Sequence, residues 1–176
     1  KRDYLSEMQY ATELMITAGR TKEVENMTQT DRGGIQKALI SALEKSQERG
    51  DPHARPVDVF NELMILSETE KNVSVANRLR EMAGALEMWT QGTYAHFFNR
   101  FGEGFSDDDD VTIIELGVLT NKSNAAMMAV AMISIVSSIT ALGEKHQYSG
   151  RHIEFYQDEA HYVTRSPLLV DGFVEG

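Results

Sequence analysis

The residues best suited to chemistry stand together near the end of the sequence, where Ile153-Glu154-Phe155-Tyr156-Gln157 runs straight into Asp158-Glu159-Ala160-His161. The first five read as a short strand, rich in aromatic and β-branched character. Two adjacent carboxylates at the carboxyl end of a buried strand are costly to place without a purpose. Nucleotide hydrolases give such a pair two tasks: the Asp holds a magnesium ion, usually through water, and the Glu polarises the attacking water. The same letters also suit a helix N-terminus, where capping and the dipole favour acids. At the level of residues both readings stand. Glu154 and Gln157 interrupt the apolar run that a central strand should show.

A nucleotide site needs a phosphate cradle, and no Gly-x-x-x-x-Gly-Lys-Ser/Thr occurs anywhere in the 176 residues. Gly33-Gly34 has no lysine at the right place, and Gly102-x-Gly104 has no strand before it. Other chemistry is thinly represented. The five histidines (53, 96, 146, 152 and 161) match no metal spacing and read as surface or packing residues. The run Asp107 to Asp110 reads as a solvated loop rather than a cation site, and Arg165 as a solvated arginine. There is no cysteine, which excludes a disulfide framework, a thiolate zinc site and a cysteine nucleophile.

The elements that must position the acids divide the chain in two. Residues 1 to about 106 read as an all-helical subdomain. Leu5, Met8, Thr12, Met15 and Ile16 follow helical spacing, with Gly19 as a stop. Asp31 caps a second helix carrying Ile35, Leu39 and Leu43, ended by Gly50 and Pro52. Pro56 opens a third, through Val57, Phe60, Leu63 and Met64. In a fourth, Val75, Leu79, Met82, Leu86 and Trp89 share one face, and Gly92 ends it. Tyr94, Phe97 and Phe98 read with Trp89 as a core cluster where these helices meet a sheet.

From residue 107 the pattern changes. Val111-Thr112-Ile113-Ile114-Glu115-Leu116 is β-branched and reads as a strand, Gly117 to Lys122 as a loop, and Asn124 to about Lys145 as a long helix. With Ile153 to Gln157 this makes a strand–helix–strand unit, which implies parallel strands joined by a right-handed crossover. Residues 107–176 are therefore predicted to be α/β. The stretch Ala125 to Leu142 is 18 residues without a charge, the lower limit for a membrane span. Its serines and alanines, and its place between two strands, favour a helix packed against protein.

Composition sets the limits. Hydrophobic residues make up 41% and charged ones 25%, as in soluble globular proteins, and one core-forming domain or a domain plus subdomain fits the length. The net charge of −10 excludes a general electrostatic grip on DNA or anionic lipid. The sequence begins at Lys1 and shows no signal peptide; it reads as a piece of a larger protein.

Three stretches in order resemble a known family. Gly92-Thr93-Tyr94-Ala95-His96-Phe97-Phe98-Asn99 is similar to the Gly-x-Tyr-x-x-x-Phe-Asp/Asn segment at the end of the helical insertion in TraC-like conjugative-transfer ATPases of type IV secretion systems. Val111 to Leu119 resembles the strand that follows it. Ile153 to His161 resembles the Walker B strand with its Asp-Glu-Ala. The resemblance implies a partial RecA-like P-loop NTPase core beside an all-helical subdomain. It implies Asp158 as the magnesium-side, nucleotide-binding carboxylate and Glu159 as the catalytic glutamate; it assigns Glu115 no role, and only that residue's place near a strand's carboxyl end makes it a candidate for the site's polar lining. ATP and Mg2+ would be the cofactors of the full-length parent, with the phosphate-binding loop outside this chain and the piece alone inactive. Expected partners are other type IV secretion and pilus-assembly proteins and further copies in a hexamer-type ring. The expected location is cytoplasmic, peripheral to the inner membrane. Gln157 and His161 depart from the family's usual apolar and aromatic residues. Two rivals share the letters: a DEAH-box helicase-like ATPase, and a non-catalytic helical adaptor.

Overall fold

The computed structural model describes residues 4–102, 105–106, 108–119, 124–156 and 158. The chain divides into two compact units, Lys1–Gly102 and Glu103–Gly176.

The first unit is built from α1 (Tyr4–Ile16), α2 (Thr21–Glu25), α3 (Gln29–Arg49), α4 (Pro56–Thr69), α5 (Val73–Thr90) and the single turn α6 (Ala95–Phe98). Local sequence sets the boundaries. Thr28 and Asp31 form a reciprocal capping box, so α3 starts three residues earlier than a cap at Asp31 would allow. Gly50 stops the same helix in the left-handed conformation, φ 77°, which glycine adopts without a Cβ clash. Pro56 sits in the first turn of α4, where its missing N–H costs nothing. The Asn72 side chain accepts from the N–H groups of Ser74 and Val75 and opens α5.

Leu14, Ile35, Leu39, Leu63, Met82, Leu86 and Trp89 are fully buried and come from α1, α3, α4 and α5. Each such side chain contributes about 1.5–3 kcal/mol by leaving water. The spacing that predicted the α5 face is the spacing that fills this core. Packing is most extensive between α4 and α5.

Four carboxylates lie inside the same unit, each met by a cation. Asp31 accepts from Arg78 Nε at 2.9 Å, which ties α3 to α5. Glu62 accepts from Lys45 Nζ at 2.6 Å and Ser41 Oγ at 2.7 Å, which ties α4 to α3. Asp58 accepts from Arg49 at 2.8 Å and from the backbone N–H of Arg55. Glu13 accepts from Gln9 and pairs with Arg32 at 3.7 Å.

In the second unit the α/β expectation is overturned. Among the described residues there is no strand and no sheet, so the parallel pairing of Val111 to Leu116 with Ile153 to Gln157 does not occur, and neither does the RecA-like core built on it. Residues 111–116 and 151–156 are irregular backbone, and Gln157 lies outside the described residues. The reason is physical. A β-branched run prefers extended conformations only weakly on its own, and a ladder needs a neighbour to accept its hydrogen bonds. The long helix does form, as α7 (Ala125–His146), preceded by a 3₁₀ turn at Gly117–Leu119 that it packs against. It is long and apolar enough to cross a membrane, with a third of its most apolar stretch buried. Ser134, Ser138 and Thr140 each donate to the carbonyl four residues back, so these hydroxyls are satisfied within the helix.

The Asp31–Arg78 pair makes stability depend on pH. Burial works to raise the Asp31 pKa, but the hydrogen bonds from Arg78 and Thr28 outweigh it and hold the carboxyl below its ordinary value. A depressed folded-state pKa adds stability that is fully present above the unfolded value, about 3.9, and is lost as pH falls through the folded one. Trp89, the single tryptophan, reports unfolding by fluorescence. Denaturant titrations at pH 7 and pH 3 should show Asp31→Asn costing about 1–3 kcal/mol at neutrality and losing less than the parent on acidification. An unchanged acid dependence in the variant would refute the role given to Asp31.

Candidate functional site

The stretch Gly92 to Phe101 closes the helical unit. At the end of α5 the chain folds back so tightly that a Cβ on Gly92 would lie 2.7 Å from the Met88 backbone, a distance only glycine tolerates. Tyr94 N–H donates to Met88 O, and α6 follows. Trp89 is the anchor. Its indole N–H donates to Met15 O at 3.0 Å, at the end of α1. The Tyr94 ring tilts against it at 4.7 Å, and Phe98 meets it edge-on at 5.1 Å. Such contacts add about 0.5–1.5 kcal/mol per pair beyond burial.

Asn99 then serves two helix ends at once. Its Oδ1 accepts from the N–H of Val57 in the first turn of α4, and its Nδ2 donates to the carbonyl of Thr90, the last residue of α5. Both backbone groups are of the kind a helix terminus leaves without a partner. Phe101 lies between the His53 ring at 5.2 Å, edge-on, and the Arg55 guanidinium at 4.6 Å. The segment whose letters resemble the transfer ATPases is thus a clasp between α1, α4 and α5. The expected aromatic cluster forms from Trp89, Tyr94 and Phe98, but it sits where helices converge, not against a sheet. Phe97 stands outside it, 55% exposed with its edge toward His96.

The carboxylates assigned to chemistry fall elsewhere. Glu115 is exposed, its Oε1 turned back over Gly117. Asp158 is exposed at a bend. Glu159 and His161 lie outside the described residues, as does Arg165. Close by, the Tyr156 hydroxyl donates to the Glu154 carboxylate, which raises the phenol above its ordinary pKa. Among the described residues no group of three or more metal-ligating side chains gathers. In the helical unit a half-open recess bordered by Ile16, Thr17, Met27, Arg78 and Met82 is about 140 Å³, and a shallow, open one along α5 at Gly84, Met88 and Gly92 is about 480 Å³.

Sequence reasoning named Asn99 only as a letter of a motif and passed over His53 and Arg55 as partners of Phe101. A single Asn after an aromatic pair carries no local signal for capping two distant helices. Comparison with protein-family models, with curated proteins and with solved structures gives no match.

The clasp can be tested by removing its polar centre. Asn99→Ala should destabilise the helical unit by about 1–3 kcal/mol, since it strips a cap from each of two helices. Phe97→Ala, one residue outside the cluster, should cost less than about 0.5 kcal/mol. Thermal unfolding followed by helical circular dichroism decides this, and equal losses in the two variants would sink the assignment.

Proposed function

We propose that this chain is part of an ATP-driven motor of the conjugative-transfer, type IV secretion class, with its helical unit as the lobe on which pilus-assembly or secretion proteins dock. The observation that carries the reading is the ordered series of three motifs, the first of which is a built device: Gly92, Tyr94, Phe98 and Asn99 each have a distinct role in closing a self-contained helical unit. The second and third motifs enter as likeness of sequence alone, since residues 111–116 and 151–156 are irregular backbone. Nucleotide chemistry belongs here to the longer protein that the resemblance implies, with Asp158 and Glu159 as this chain's contribution to it. Further copies in a ring and a cytoplasmic position at the inner membrane complete the proposal, and α7, with 18 uncharged residues from Ala125 to Leu142, is the element best suited to contact a membrane-bound partner.

Glu159→Gln in that longer protein keeps side-chain size and removes one charge. Phosphate release should fall about 10²–10⁴-fold while nucleotide binding stays near the parental level. Asp158→Ala should weaken magnesium-dependent binding as well. Parental turnover in Glu159→Gln would overturn the motor reading and leave the helical adaptor in its place.

A further inference from the structure

The segment 111–116 combines features that a folded protein seldom leaves in the open. Val111 is 78% and Ile113 88% exposed, while Ile114 and Leu116 are partly covered. Thr112 and Glu115 are exposed as well, so five consecutive residues stand open to solvent. Within the described residues, the backbone N–H and C=O groups of Val111, Thr112, Ile113, Ile114 and Glu115 make no hydrogen bond. Four of these five residues are β-branched, the composition that fits a pleated ladder. Unpaired backbone flanked by exposed β-branched side chains is a template for an added strand.

Charge says what kind of strand. Between Arg100 and Lys122 the sequence holds six acidic residues, Glu103, the four aspartates 107–110 and Glu115, and no basic one. Arg151 donates to the Asp109 carbonyl at 2.8 Å and is the one cation recorded against this run among the described residues, so a second copy would bring six acids against one such cation, which like-charge repulsion disfavours. A basic partner would meet complementary charge at both ends of the segment, at the aspartates before Val111 and at Glu115. We propose that residues 111–116 form a strand-addition site for an extended, basic peptide segment of a partner protein, with alternate apolar side chains covering Val111 and Ile113. The site stands apart from the motor reading and needs no nucleotide.

The probe is a synthetic peptide, Lys-Val-Thr-Val-Lys-Val-Thr-Lys, against the same peptide with Glu for every Lys. At about ten times its Kd the basic peptide should slow amide exchange of residues 111–115 about tenfold, and added salt should weaken it. Ile113→Pro removes a donor at an exposed position and should abolish the protection, with helical circular dichroism and Trp89 fluorescence unchanged. The triple change Asp108→Asn, Asp109→Asn, Asp110→Asn should weaken the basic peptide selectively. No protection from the basic peptide, or equal protection from the acidic one, overturns the proposal. So does protection that rises with protein concentration alone, since the occupant would then be a second copy.

Discussion

One carboxylate holds the helical unit in register. Asp31 is 4% exposed, and its two oxygens do different work. Oδ2 accepts from Thr28 N–H and so begins α3; Oδ1 accepts from Arg78 and so fixes where α5 lies. A buried charge of this kind adds little net energy, because desolvation offsets most of the attraction. What it does is penalise every arrangement in which the charge is buried without its partner, by about 3–5 kcal/mol in the fully desolvated limit. Glu62, Asp58 and Glu13 repeat the arrangement with Lys45, Arg49 and Arg32. Apolar burial supplies the driving force in this unit, and the four carboxylates restrict it to one packing.

The sequence displayed part of this openly. Leu79, Met82, Leu86 and Trp89 at helical spacing name a buried face because that spacing leaves few alternatives, and Pro56 and Gly50 mark ends through local backbone chemistry. The cross-helix pairs were hidden for a different reason. Asp31 and Arg78 are 47 residues apart, and nothing in either neighbourhood distinguishes them from solvated surface charges. The same holds for Asn99, whose partners Val57 and Thr90 are remote in sequence or topology. Short-range patterns disclose elements, whereas the polar contacts that orient elements are long-range facts.

The β readings failed at the complementary point. Val111 to Leu116 has the composition of a strand, but strand formation is settled by a neighbour, and among the described residues none pairs with it. The two adjacent acids inherit the same difficulty, since the chemistry assigned to Asp158 and Glu159 presupposed that a strand would carry them to a buried edge. Asp158 is exposed at a bend. Glu159 lies outside the described residues.

The two units therefore differ in how far each satisfies itself. In the helical unit the buried carboxylates find cations within it, the clasp residue Asn99 completes two helix ends, and Trp89 is wholly enclosed with its N–H bonded. In the second unit Val111, Ile113, Tyr148 and Tyr156 are all more than three-quarters exposed, and the backbone of 111–115 is without internal partners. Exposed apolar side chains on unpaired backbone, as at Val111 and Ile113, mark a segment that gains free energy when something covers it. An isolated helical unit needs no such cover to be stable, whereas the 111–116 segment becomes regular structure only by contributing to a ladder that another strand completes.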